Sequence, residues 1–288
     1  MDFYYVIPEL PSFLIKKIFP FNWSGLCFHP RHLRINEKRL FNPDKMFKLD
    51  SCRAVAVLDE GIKDKLAVRI NDKPVIAFPD ITNDSVGEVD NAIVIRMKKK
   101  AKGRKIIGLV GNLTKHKGLL ALLEVSERTQ DRNWFYVFAG PLDKSTFTTP
   151  ELQQIQLTVE SGQENCFFYF EYLRDGREYN SLIDALDVLF AAHKNFPHSS
   201  NTLTKAAIFK KPVVVSDGYC MAERVKKYNL GEIISNHDPI SYINAFERLL
   251  ETNEVHGNPK NKRQFQEYSK LHSVNSLKRS FEELLLHY

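Results

Sequence analysis

Lys105-Ile106-Ile107-Gly108-Leu109-Val110-Gly111-Asn112-Leu113-Thr114-Lys115-His116-Lys117-Gly118 is the stretch on which the fold turns. Residues 106–110 are apolar or small without alternation, the pattern of a strand buried on both faces. Gly111 closes the strand, and residues 117–129 read as a helix with Leu119, Leu120, Leu122 and Leu123 on its apolar face. The unit then recurs. Strands are expected at 134–140, 166–170, 187–190, 212–216 and 231–234, separated by helices at 150–161, 177–186, 201–209 and 221–228, with a mostly helical remainder. Such alternation specifies an α/β fold with a parallel sheet covered on both faces. A sheet of this kind takes ligands at the carboxyl ends of its strands. The loops after Gly111, Gly140, Phe170 and Phe190 therefore form the candidate site.

Working outward, residues 1–90 differ. Strands at 54–58 and 74–78 flank a helix at 60–70, behind the segment Phe19-Pro20-Phe21-Asn22-Trp23. That is too little for a complete doubly wound domain, so it reads as half of one or as a small cap. The 288 residues accommodate about two domains. We divide them as a partial domain 1–90, a complete one 91–270 and a terminal helix 271–288.

Composition excludes several classes. A hydrophobic content of 43% suits a globular chain and argues against wholesale disorder. No run approaches the ~20 apolar residues a bilayer span needs. The first apolar segment contains Glu9 and precedes Lys16 and Lys17, the wrong order for a secretory signal. Cys27, Cys52, Cys166 and Cys220 lack metal-ligand or disulfide-framework spacing and read as reduced thiols of a cytoplasmic protein. Net charge is +6. The crowded run Arg96, Lys98, Lys99, Lys100, Lys102, Arg104, Lys105 reads as a solvated helix end and linker, with a peripheral membrane contact through Lys98 to Lys105 as the alternative. No base-stacking pattern accompanies it, so no nucleic-acid partner is expected. G-x-S-x-G, H-E-x-x-H and D-x-D motifs are absent, which argues against hydrolase and metalloenzyme readings.

Two segments carry chemistry. In the first, Gly111, Asn112 and Lys117 place backbone N–H groups and a cation where an anion is stabilised, although an ordinary strand-to-helix connection looks alike. The second, Phe196-Pro197-His198-Ser199-Ser200-Asn201-Thr202, leads into a helix. Ser199, Ser200, Asn201 and Thr202 are good caps, and they are equally able to receive a phosphate. Two anion-ready helix starts on one sheet suit a diphosphate. His29, after Gly25-Leu26-Cys27-Phe28, is either a structural histidine or a polar contact in a cleft.

Taken in order, these pieces resemble the group 1 glycosyltransferases of GT-B type. Residues 107–118 look like that family's strand-G-R-L-x-x-x-K-G segment. Phe138-Ala139-Gly140-Pro141 looks like its second strand-glycine turn, residues 167–173 like its F-x-G-x-V strand, and 185–190 like its aspartate strand. Residues 205–216 resemble E-A-x-A-x-G-x-P-V-V-x-S. The likeness covers roughly residues 90–288 and departs at Asn112, where the family has a basic residue. It departs also at Pro197 and Lys205, where the family has paired glutamates, the second of them a donor-ribose contact. The resemblance implies a Rossmann-like donor-binding domain with a shortened N-terminal acceptor domain. It implies retaining sugar transfer from a nucleotide-sugar to a glycan or lipid-linked glycan, with no metal and no cofactor beyond the donor as co-substrate. It places His29 against the donor sugar, Gly111, Asn112, Lys117 and Ser199 to Thr202 against the diphosphate, and Tyr172, Leu173 and Arg174 around the nucleobase. It further implies that a truncated reading frame, a partner chain or a second copy accounts for the short first domain. The alternative is a degenerate half-enzyme that binds nucleotide, phosphate or a partner without transferring sugar.

Overall fold

The recurring strand-glycine-helix unit has a direct structural counterpart in a computed structural model, which describes residues 10–28, 30–35, 42–250 and 263–288. His29 lies outside the described residues, and nothing about its role follows from the structure. The described strands are β1 (Trp23–Cys27), β2 (Cys52–Val57), β3 (Val75–Ala77), β4 (Lys105–Val110), β5 (Trp134–Ala139), β6 (Cys166–Tyr169), β7 (Val188–Ala191), β8 (Val213–Ser216) and β9 (Gly231–Ile234). The described helices are α1 (Ser12–Ile18), α2 (Arg31–Arg34), α3 (Lys63–Arg69), α4 (Ala92–Ala101), α5 (Leu119–Arg128), α6 (Thr149–Glu160), α7 (Arg177–Asp184), α8 (Thr202–Ile208), α9 (Cys220–Tyr228), α10 (Pro239–Leu250), α11 (Phe265–Leu271) and α12 (Val274–Leu285). They form two compact units. One takes the chain up to Ile81 with Pro197–Ser199 and Lys270–Tyr288, the other takes Thr82–Phe196 and Ser200–Ser269.

The larger unit is a six-stranded parallel sheet in the order β6-β5-β4-β7-β8-β9. Successive side chains of a strand face opposite ways, and here both faces are apolar. Phe135, Val137 and Ala139 of β5 enter one core, with Ile93 and Met97 of α4, Leu182 of α7, Leu203 of α8 and Met221 of α9. Trp134, Tyr136 and Phe138 enter the other, with Leu119, Leu122 and Leu123 of α5 and Phe246 of α10. The unbroken apolar runs in the sequence have this cause. Gly140 is obligatory at φ +127°, since a Cβ there would lie 2.1 Å from the carbonyl oxygen of Gly111.

The smaller unit is a three-stranded parallel sheet, β1-β2-β3. Cys27, Val55 and Val57 pack with Ile15, Ile62 and Leu66 on one face. Ala54, Ala56, Ile76 and Phe78 pack with Leu277 and Leu284 of α12 on the other, where the Phe78 and Phe281 rings meet edge-on at 4.9 Å. The terminal helix is thus the second layer of this sheet. Asp44, fully buried, is held by His32 at 2.8 Å and Arg69 at 2.5 Å. Arg34 grips Asp59 through two parallel bonds of 2.8 and 2.7 Å.

One detail corrects the sequence reading, and another agrees with it. The helix expected at 117–129 begins at Leu119 instead, because Lys115–Lys117 forms a 3-10 turn and Gly118, at φ +82°, separates the two. Lys117 therefore stands before the helix and not in its first turn. The basic run is the helix end and linker that the sequence predicts: Ile93, Met97 and Ala101 of α4 are buried, Lys98, Lys99 and Lys100 form its last turn, and Lys102 caps it in the left-handed conformation. Arg104 donates to the carbonyls of Ala101 and Glu164 and lies over Phe135. Lys105 pairs with Asp187, which leaves Lys98, Lys99 and Lys102 exposed.

Candidate functional site

In a doubly wound sheet the crevice lies where consecutive connections leave to opposite faces. Here that point falls between β4 and β7, which are neighbours in the sheet though far apart in the chain. The helix after β4, α5, packs on one core and the helix after β7, α8, on the other. Whatever stands at the ends of Val110 and Ala191 lines the crevice.

The loop after β4 is firmly built. Leu113 is buried, its N–H donates to the Pro141 carbonyl (2.8 Å) and its carbonyl accepts from Asp143 (3.0 Å). On the outer side Lys115 pairs with Glu151 at 2.6 Å, and this pairing, with the Thr148 backbone N–H, holds the Glu151 carboxyl down to about 2. The Lys194 N–H donates to the His116 carbonyl at 2.7 Å, which ties the loops after β4 and β7 together.

Lys117 sits at the centre. Its Nζ would lie 3.7 Å from a Cβ placed on Gly111, and the Tyr179 hydroxyl 3.1 Å from the same point. Tyr179 donates to the Val110 carbonyl at 3.1 Å. Gly111 is thus the floor over which the ammonium and the phenol converge, and its lack of a side chain keeps that space open. Among the described residues Lys117 has no carboxylate partner, and burial alone lowers the pKa of its ammonium. Lys117 is half-buried, and a partly desolvated cation without a counter-ion suits an anion.

His193, two residues past β7, is the neighbour that the sequence reading missed. It is 6% exposed, with the Phe196 ring edge-on at 4.9 Å and His116 at 6.5 Å. Burial first, then the positive charge of Lys117 and the proximity of His116, push its imidazole down to about 3, so it is neutral at physiological pH. No composition or periodicity signal marks it, since it follows the strand as any loop residue does. Tyr179 was missed for a similar reason: it lies on a helix whose pattern advertises only core.

Lys205 is 4% exposed. Its Nζ donates to Asn180 Oδ1 (2.8 Å), Asp175 Oδ1 (3.0 Å) and the Asn83 carbonyl (3.3 Å), and lies 4.9 Å over the Tyr179 ring. The lysine at the resemblance's second glutamate position is therefore an internal brace beneath Tyr179.

The remaining sequence candidates divide. Gly111, Asn112 and Lys117 share the one loop, with Asn112 exposed. Ser200 donates to Thr202 Oγ1 at 2.9 Å and accepts from its N–H at 3.3 Å, so it caps α8, while Asn201 makes no side-chain cap. Ser199 belongs to the smaller unit, where its hydroxyl donates to Asp80 at 2.5 Å. Tyr172 is 71% exposed, Leu173 packs in the core and Arg174 is exposed. None of the four cysteines is in a disulfide, and all four are buried. Among the described residues no helix is long and apolar enough to cross a membrane.

A complete doubly wound sheet followed through to a crevice of this kind, together with a smaller parallel sheet in the same chain, defines a Rossmann-like protein of GT-B type. A model of the family "Glycosyl transferases group 1" matches residues 92–272, more than half of the chain, and the protein belongs to that family. No curated protein sequence matches it. Among solved structures it is similar to the α,α-trehalose-phosphate synthase (UDP-forming) of Burkholderia xenovorans, at TM-score 0.61 and 15% identity over 85% of this chain and 63% of that one. It is similar also to HepE of Anabaena, solved with UDP and glucose, at TM-score 0.63 and 14% identity over 82% and 64%. A third is the sucrose-phosphate synthase of Thermosynechococcus elongatus, at TM-score 0.64 and 15% identity over 95% and 69%. At these identities the likeness is one of fold, and the chain spans less than two thirds of the length of the first two.

Proposed function

We propose that the protein transfers a sugar from a nucleotide-sugar donor, and that the donor diphosphate is received over Gly111 by Lys117. The observation that carries this reading is a half-buried ammonium with no carboxylate partner among the described residues, at the topological switch point of a group 1 glycosyltransferase sheet. Negative charge develops on the leaving diphosphate as the glycosidic bond to the donor breaks. A fixed cation in a water-poor site stabilises that charge more than it stabilises the intact donor. In this reading Lys117 supplies that charge without a metal, and Tyr172, Leu173 and Arg174 border the base. His29 faces the donor sugar, transfer is retaining, and the acceptor is a glycan or a lipid-linked glycan. HepE, similar in fold, was solved with UDP and glucose, which makes a uridine nucleotide the first to try.

One observation favours a second reading, nucleotide or phosphate binding without transfer: position 205 carries a lysine committed to internal bonds. The experiment is calorimetric titration with UDP-, GDP-, ADP- and dTDP-sugars, repeated on Lys117→Ala, with sugar release followed in parallel. One nucleotide bound, and weakened by Lys117→Ala, supports the donor site. Binding with no turnover on any acceptor selects the second reading. No binding at millimolar concentration overturns both.

A further inference from the structure

We propose that His193 is a ligand-contacting residue of the Lys117 crevice, its imidazole hydrogen-bonding an oxygen of the anionic group that Lys117 receives. The inference rests on the donor-site reading above and adds a second contact to it.

Buried polar atoms in folded proteins are almost always hydrogen-bonded, and each exception needs a reason. Nδ1 of His193 is sealed from solvent and has no hydrogen-bond partner among the described residues. The surroundings are those of an aromatic box. Phe196 stands edge-on to the ring at 4.9 Å with an interplanar angle of 88°, and Phe196 in turn stacks on His116 at 6.4 Å and 7°. A phenylalanine would fill this box without leaving an unmet polar group, so packing does not explain the histidine. Nor does a structural hydrogen bond at Nδ1, because none is made.

What lies beside it does explain it. The charged and titratable groups that face His193 are Lys117 and His116, both on the 3-10 turn after β4. Burial first, then these two neighbours, keep the imidazole neutral, with one N–H donor and one lone pair. Two polar groups without partners, one cationic and one neutral, thus meet at the switch point, one from each of the two loops tied by the Lys194–His116 bond. A phosphate oxygen brought in by Lys117 gives the imidazole N–H its missing acceptor.

The test uses the full chain with UDP and inorganic pyrophosphate as probes. The variant His193→Phe removes the orphan polar group and keeps the ring. It is expected to unfold at the same or a higher temperature than the parent and to bind pyrophosphate about 10- to 100-fold more weakly, the range for losing a bond to a charged group. The imidazole 15N resonances of His193 in the unmodified protein are expected to shift on saturation with pyrophosphate, a readout that does not depend on any variant folding. Pyrophosphate binding that Lys117→Ala weakens and His193→Phe leaves unchanged, with stationary 15N resonances, overturns the contact and leaves the donor-site reading standing. That result would assign His193 to a buried water. Absence of binding to the parent protein overturns both.

Discussion

Lys117 and Lys205 are two ammonium groups of the same six-stranded unit, the first half-buried and the second buried, and their surroundings differ in kind. Lys205 has three oxygen acceptors and an aromatic face. Lys117 has no acceptor for its ammonium among the described residues, and only burial acts on it. A buried cation is costly unless it is paired and hydrogen-bonded. The first lysine meets that condition inside the fold, so its role is to hold the helix that carries Tyr179. The second meets it only when something anionic arrives from outside. Burial alone therefore does not separate a structural lysine from a functional one, and the partner list does.

The comparison breaks if both lysines respond alike to removal of their charge. Lys117→Met should weaken nucleotide or pyrophosphate binding by about 100-fold or more, the scale for truncating one side of a buried charge pair. The unligated protein should unfold at the same or a higher temperature, since an unpaired, half-buried charge is gone. Calorimetry and thermal unfolding read the two effects separately. A fall in unfolding temperature without loss of affinity would show that Lys117 is structural after all.

Lys205→Met should do the reverse. It leaves the Oδ1 acceptor of the buried Asn180 without its Lys205 donor. Breaking a fully buried pair costs ~3–5 kcal/mol, but Asp175 is 68% exposed and stays hydrated. A loss of about 2 kcal/mol is expected, which lowers the midpoint by about 4–8 °C for a unit of this size. Affinity for pyrophosphate should change by no more than a few-fold. A large loss of affinity at unchanged stability would place Lys205 at the ligand.

Why one lysine could be read from the sequence and the other could not follows from the same contrast. Lys117 sits at fixed distance after a strand that ends in glycine, and strand-glycine-turn is a local pattern. The parallel sheet was legible for the same reason: runs such as Trp134–Ala139, apolar at every position, arise only where both faces are covered. Lys205 is braced by Asp175, Asn180 and Asn83, up to 122 positions away, a contact set by sheet order and not by spacing. His193 and Tyr179 reach the crevice through the β4–β7 adjacency, which no local pattern encodes. The start of α5 lies two residues later than expected because Lys115–Lys117 forms a 3-10 turn and Gly118, at positive φ, separates it from the helix, a conformation the residue types alone do not announce. The terminal helix read correctly as a helix, yet its packing on Ile76 and Phe78 is again a long-range event.

The subtlest difference between the two lysines is in pH dependence. Burial lowers the Lys117 pKa from 10.5. Between the lowered folded value and the unfolded value the unfolded chain holds more protons, so stability rises with pH across that window. The charge therefore costs stability at neutral pH, and Lys117→Met should abolish the alkaline rise. Anion affinity moves the other way, falling as pH climbs through the lowered value, because the neutral amine has no charge to offer. Tyr179 does not confuse the reading: burial first, then the Asp175 charge, raises its phenol above 10.0. Lys117→Arg supplies the control, since a guanidinium stays protonated throughout. The parent protein's pyrophosphate affinity should decline before pH 10.5 is reached, while that of Lys117→Arg stays level. A parent profile as flat as that of the arginine variant would mean that the ammonium meeting the anion is not the half-buried one over Gly111.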